Sequence, residues 1–218
     1  MKAIKTSPQG PRLYDVPIPS ALNSQAVLVE VRAVSICRTD LYVANGQIPA
    51  PNGLTLGHEF TGVVSHVGSG VSLFERGDRV VGNPFLSCGA CDPCKKEQRH
   101  LCIDDTFLGV DRNGAFAEYV VVPQLSLSRL HEEVSFSVGT FSEPVAAGLG
   151  IFESIALQAS KDLAIGVYGS GRIGKLTLAL LYSRGYRAEI MEAIEGDSVF
   201  DVIIESQALG EEVESMIR

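Results

Sequence analysis

The 218-residue chain has no apolar run long enough to cross a bilayer. Basic residues are its minority charge: 18 Lys and Arg stand against 26 Asp and Glu, a formal net charge of -8. That deficit argues against nucleic acid or an anionic membrane surface as the main partner, because both select for excess Lys and Arg. The opening Met1-Lys2-Ala3-Ile4-Lys5 runs into Ser7-Pro8-Gln9-Gly10 with no apolar signal-peptide core behind it, so a soluble cytoplasmic protein is expected. Internal repeats and low-complexity tracts are absent as well. Cysteine is scarce at five residues. In a chain without a signal segment, thiols or metal ligands are expected of it before disulfides. What is present is globular, with 45% hydrophobic and 20% charged residues, and suits one large domain or two small ones.

Residues 1–150 read as β. Residues 27–34, 60–67, 79–82 and 118–122 are short Val-rich runs, separated by the turn signals Gly68-Ser69-Gly70, Arg76-Gly77-Asp78 and Asn113-Gly114. Many short strands with Gly-rich turns predict a barrel-like β domain. The texture then changes. Residues 145–160, rich in Ala, Leu and Ile, suit one or two helices. Residues 163–168 predict a buried strand, 172–184 a helix stopped by Gly185, 188–191 and 199–204 two further strands, and 210–218 a short helix. This is the start of a parallel α/β sheet over residues 151–218. About 56 residues from 163 onward are available for it, against roughly 130 for a complete doubly wound sheet, so a truncated sheet is expected.

Four of the cysteines fall within fifteen positions, as Cys88-x2-Cys91-x2-Cys94-x7-Cys102. Two-residue gaps let neighbouring thiolates converge on one ion, and tetrahedral Zn2+ accepts four of them. Such a centre carries a charge of about -2, which Lys95, Lys96 and Arg99 in the same loop offset. With no open position, its role is to fold a lobe that has little core of its own. Four reduced core cysteines are the plainer reading, but Gly89, Asp92, Pro93 and Lys95 make a poor core. An iron-sulfur cluster remains the rival, since four thiolates serve it equally.

Cys37, in Ser35-Ile36-Cys37-Arg38-Thr39-Asp40, and His58-Glu59 supply a second donor set. Cys, His and one carboxylate make three protein ligands and leave one zinc position open to water or substrate. Asp40 or Glu59 could orient His58 from behind. Taken singly, Cys37 is as well read as a small buried hydrophobe and His58 as a hydrogen-bonded core histidine.

Gly57-His58-Glu59-Phe60-Thr61-Gly62-Val63-Val64, Val67-Gly68-Ser69-Gly70-Val71 and Gly77-Asp78-Arg79-Val80 closely resemble the medium-chain, zinc-dependent alcohol dehydrogenases. The four-cysteine lobe and Gly114-Ala115-Phe116-Ala117-Glu118-Tyr119 continue the likeness. The resemblance implies a GroES-like catalytic β domain over residues 1–150, and an α/β chain overall. It implies that Cys37 and His58 bind zinc, with Glu59 a nearby or exchangeable ligand. Glu143, in Ser142-Glu143-Pro144, matches the carboxylate ligand of the polyol and threonine dehydrogenase branch; an exposed helix-start carboxylate is the plainer alternative. Thr39 matches the hydroxyl that relays the substrate proton. Tyr42 stands where the family often has a relay histidine, so its hydroxyl or a water takes that part. Arg38, where a glycine is common, adds a cation near the zinc and favours an anionic substrate group. The implied chemistry is hydride transfer from a small-molecule alcohol, or the reverse to a carbonyl. Zinc lowers the pKa of bound water from about 15.7 to about 7, roughly 12 kcal/mol of alkoxide-like stabilisation.

Gly169-Ser170-Gly171-Arg172-Ile173-Gly174 follows a predicted strand and opens a predicted helix, the setting in which this fingerprint seats a pyrophosphate on a helix N-terminus. Glu192, at the end of the next predicted strand, is placed to bind ribose hydroxyls, and no arginine immediately follows it. NAD is therefore expected over NADP. Residues 191–201 are too few for the usual helix between strands. The resemblance identifies 202–206 with the later strand that contacts the cofactor, and an open sheet edge invites a second copy of the chain as a homo-oligomer. Two alternatives stay open: a zinc enzyme of lyase, isomerase or hydrolase type without a redox step, and a non-catalytic relative.

Overall fold

Valine and other branched residues dominate the central strands of the first part of the chain, where they cover a pleated surface and pack across it. In the computed structural model, residues 1–20, 22–156, 160–192 and 200–207 are described. The chain divides into two compact units, Met1–Glu143 and Pro144–Arg218.

The first unit opens with an antiparallel hairpin of β1 (Lys2–Lys5) and β2 (Arg12–Asp15). There follow β3 (Ala26–Ser35), the seven-residue helix α1 (Arg38–Ala44), β4 (Glu59–Val67) and β5 (Arg79–Gly82). Short strands β6 (Phe85–Leu86) and β7 (Thr106–Phe107) pair and bracket a lobe containing α2 (Asp92–Lys95). Then come β8 (Tyr119–Pro123), β9 (Leu127–Arg129) and α3 (Phe136–Gly139).

Five of these strands form one antiparallel sheet in the order β8-β3-β4-β5-β9. Strand β3 is paired on both sides: Val27 faces Val67 of β4 and Val122 of β8, and Val29 faces Val64 and Val120. Irregular register at Leu28/Val29 and Val31/Ala33 bends β3, as extra residues in a ladder do. Val27, Val29, Phe60, Val64, Val80, Leu108 and Val122 form the core, all essentially shielded from solvent. Each such side chain contributes about 1.5–3 kcal/mol by leaving water.

Helix α4 (Ser142–Ala156) starts at the boundary between the units. The second unit holds β10 (Ala164–Tyr168), α5 (Arg172–Ser183), β11 (Arg187–Met191) and β12 (Val202–Glu205). The strands are parallel in the order β11-β10-β12. Helix α5 buries Gly174, Thr177 and Leu181, spaced three and four apart on one face. Leu181 joins Phe152, Ile165, Val167 and Ile204 in a second core.

The described chain is thus α/β, with a β-rich first part and a parallel sheet after it. Strands expected at 27–34, 60–67, 79–82 and 118–122 lie within one residue of β3, β4, β5 and β8. Helix 172–184 is α5, and within 145–160 the residues up to Ala156 belong to one helix that begins earlier, at Ser142. Strand β12 starts at Val202 rather than 199. The helix expected at 210–218 and the segment 193–199 lie outside the described residues. Among the described residues no helix is long and apolar enough to cross a membrane.

Phe60 is fully buried at the centre of the first core. Phe60→Ala is expected to destabilise the chain by about 3–5 kcal/mol in urea unfolding. A loss below about 1 kcal/mol would show that this sheet is not the centre of the core.

Candidate metal centres

Asp40 is almost fully buried, and its carboxylate organises the first centre. Helix α1 begins immediately after Cys37, which holds an extended backbone, and the Cys37 N–H donates to Asp40 Oδ2 at 2.8 Å. Asp40 Oδ1 accepts the Gly57 N–H at 3.2 Å and lies 3.0 Å from His58 Nδ1. One side chain therefore ties the start of α1 to the residues that lead into β4. With Nδ1 engaged by Asp40, Nε2 is the histidine nitrogen left to face a metal, the arrangement usual for a ligating imidazole.

The segment carrying His58 is held from its other side by backbone. Gly57 has φ +93, in the left-handed region that favours glycine. Ala115 N–H donates to Gly57 O at 2.8 Å, and Phe116 N–H to Leu56 O at 2.7 Å. A Cβ on Gly57 would strike the Phe116 ring and backbone. The Phe107 ring meets the imidazole edge-on, with centroids 5.1 Å apart.

Cys37, His58 and Glu59 present ligand atoms that all lie within 4.8 Å of one another. His58 and Glu59 are each 1% exposed, and Cys37 is half-buried. Glu59 accepts a hydrogen bond from Ser35 Oγ. Between Asp40 and Glu59, then, it is Asp40 that bonds the imidazole, while Glu59 turns to Ser35 and the donor cluster. Burial opposes the charged form of His58, but hydrogen bonds to Asp40 and Cys37 outweigh it, and its pKa is pushed up to about 10. A cation is favoured at this position, and a metal ion between Cys37 and His58 meets the same demand as a proton. A thiolate, an imidazole with its far nitrogen fixed and a buried carboxylate suit zinc with one position open.

Thr39 places its hydroxyl 3.8 Å from Cys37 Sγ. Tyr42 is half-buried on the same helix, and among the described residues its hydroxyl makes no hydrogen bond. Glu143, half-buried in the first turn of α4, is not a member of the three-residue donor group. Arg38 opens α1 and is exposed.

The second centre brings Cys88, Cys91, Cys94 and Cys102 together, their sulfurs within 4.8 Å of one another. The N–H groups of Ala90 and Cys91 approach Cys88 Sγ at 3.5 and 3.4 Å, and Cys88 N–H approaches Cys102 Sγ at 3.3 Å. Backbone hydrogen bonds from Ile103 and Cys94 hold Cys91 down to about 6, whereas burial and the neighbouring Cys91 push Cys94 up to about 12. A thiolate at Cys91 thus opposes one at Cys94, and a divalent cation removes that conflict. Around them α2 is a single turn, and Leu101 and Ile103 are exposed, so the lobe has little apolar core.

In the second unit Gly169, at φ +103, ends β10, and Gly171 precedes α5. A Cβ on Gly174 would overlap the Gly169 carbonyl, so the helix can approach the turn only with glycine there. Ser206 Oγ donates to Tyr168 O at 2.7 Å and steadies the turn after β12. Ser170 completes the turn, Arg172 and Ile173 open α5, all three half-buried, and Glu192 is exposed just beyond β11. The carboxyl ends of β10 and β12 thus flank the switch point at which parallel sheets bind ligands.

Residues 23–132 match the family of the alcohol dehydrogenase GroES-like domain. An L-threonine 3-dehydrogenase of Chromobacterium violaceum is 33% identical over 194 residues, 86% of this chain and 55% of that protein. The crystal structure of galactitol-1-phosphate dehydrogenase from Escherichia coli shares 30% identity and a TM-score of 0.79 over 87% of this chain and 55% of its own. A Sinorhizobium meliloti protein described as a zinc-binding dehydrogenase, solved with NADP bound, shares 30% identity and a TM-score of 0.81 over 97% of this chain and 71% of its own. The chain spans about half the length of the curated relatives it matches.

Asp40→Asn leaves the size of the side chain nearly unchanged but alters its bonding to His58 and to two backbone N–H groups. Metal affinity at the Cys37–His58 centre is expected to fall about 10–100-fold, while the four-cysteine centre keeps its ion. Competition with a chromogenic chelator measures both; equal weakening of the two centres would contradict the assignment of Asp40 to His58.

Proposed function

The chain belongs to the zinc-dependent medium-chain alcohol dehydrogenase family, and from that premise we propose that it oxidises a secondary alcohol by hydride transfer to NAD. The substrate class is a polyol, a sugar-like alcohol or an amino alcohol such as L-threonine. The observation that carries this reading is the convergence of Cys37, His58 and Glu59 with Asp40 behind the imidazole.

In this reading Cys37 and His58 hold the catalytic ion, Glu59 is a nearby or exchangeable ligand, and Glu143 is the further carboxylate supplied by the family pattern. Zinc bound there supplies Lewis acidity that makes an alcohol hydroxyl easier to deprotonate. Thr39, beside Cys37, accepts that proton and hands it on through Tyr42 or water towards solvent. Gly169 to Gly174 admit the cofactor pyrophosphate to the start of α5, and Glu192 takes the ribose hydroxyls, which disfavours the extra phosphate of NADP. Cys88, Cys91, Cys94 and Cys102 hold a second zinc that folds the lobe. Residues 1–150 serve as the catalytic domain and 151–218 as the dinucleotide-binding part. Strands β11 and β12 are the outer strands of the described three-stranded sheet, and outer strands favour pairing with a second copy of the chain. A cytoplasmic location accords with free cysteines throughout.

The full chain, loaded with zinc, is titrated with NADH and NADPH and then screened for alcohol-dependent NAD reduction. Tighter binding of NADH and turnover of a secondary alcohol are expected, with Thr39→Val lowering kcat about 10²–10⁴-fold. Two occupied metal centres with binding of neither cofactor would overturn hydride transfer for this chain and leave zinc chemistry without a redox step.

A further inference from the structure

A cavity of about 770 Å³ opens in the first unit beside β1 and β8, bordered by Cys88 of the lobe and by none of the ligands of the Cys37–His58 centre. That volume suits a small metabolite. Its wall includes Lys5, Thr55, Asp104, Arg112, Asn113 and Tyr119. Its cationic side chains are Lys5 and Arg112, set against Asp104 and the Cys88 thiolate at the border. Neither Lys5 nor Arg112 makes an ion pair among the described residues.

The backbone brings these groups together. Lys5 bridges to Thr55. Asn113 Oδ1 accepts the Thr55 N–H at 2.9 Å, and Gly114 N–H donates to Thr55 O at 2.7 Å, which sets Arg112 and Asn113 beside Thr55. Thr55 itself is 5% exposed, and among the described residues its hydroxyl has no hydrogen-bond partner. The oxygen is not sealed from solvent, so it can bond a group held in the cavity.

We propose that this cavity binds a small phosphorylated metabolite, at a site separate from the alcohol and dinucleotide sites. Lys5 and Arg112 meet the phosphoryl dianion, with Arg112 able to offer it a two-pronged contact. Thr55 donates its hydroxyl to the same group. Asp104 and Tyr119 are left to hydrogen-bond the hydroxylated remainder of the ligand. The inference goes beyond the dehydrogenase reading and does not depend on it.

The probe is inorganic phosphate, titrated into the full 15N-labelled, zinc-loaded chain at constant ionic strength, with acetate in a parallel titration. Saturable amide shifts at Thr55, Asn113 and Gly114 are expected with phosphate, and weaker ones with acetate. A Lys5→Gln, Arg112→Gln double variant is expected to weaken phosphate binding by roughly tenfold or more, with the remaining spectrum unchanged. Shifts confined to Gly169–Gly174, shifts that never saturate, or equal affinity in the double variant would each overturn the proposal. Equal binding of acetate would overturn the phosphoryl assignment.

Discussion

A single buried carboxylate sets the geometry on which the first unit's candidate chemistry depends. Asp40 receives the N–H groups of Cys37 and Gly57 and lies against His58 Nδ1, so three elements of the site share one acceptor. An ionised carboxylate is costly to bury without such partners. With them, it can be satisfied only when the start of α1 and the residues before β4 are correctly placed. Cys37 and His58, 21 positions apart in sequence, are thereby brought face to face. The protein's own hydrogen bonds hold these donors in place, which lowers the cost of binding an ion.

The two candidate metal centres are built on opposite physical terms. Around Cys37 and His58 the protein supplies the order: a fully buried valine and phenylalanine core, a two-sided strand β3 and backbone bonds from residues 115 and 116. Around Cys88 to Cys102 there is little to supply it, since the lobe has one turn of helix and exposed Leu101 and Ile103. Its order comes from four sulfurs in one place. Three donors leave one position of a tetrahedral ion for chemistry; four leave none.

Much of this architecture could be read from residues alone, and the divisions have physical causes. Strands β3, β4, β5 and β8 are Val-rich and bounded by glycine turns, so local pattern and tertiary role agree. The four cysteines carry their own spacing. Helix α1 left little trace, because seven residues span barely two turns and Arg38, Thr39 and Asp40 show no apolar period. Strands β1 and β2 carry charged ends, and of their residues Ala3 alone is buried. Their order rests on pairing with each other and on the bridge from Ala3 to Ala117, a contact no local window contains. Asp40 and Glu59 could not be told apart as partners of His58 by composition, since both are acids near a histidine; only the fold separates them. Ser35, Gly57 and Phe107 shape the centre through a hydroxyl bond, backbone approach and ring contact respectively, which sequence spacing does not record.

The central claim, a preorganised centre at Cys37 and His58 with one position open, is tested most directly by replacing zinc with Co2+ in the full chain and recording its visible absorption. Cys37→Ser serves as the reference, leaving the four-cysteine lobe intact. The account predicts bands from a tetrahedral site with one thiolate, absent from the Cys37→Ser spectrum and shifted when imidazole is added as an external ligand. A spectrum identical in the two proteins and indifferent to imidazole would contradict it.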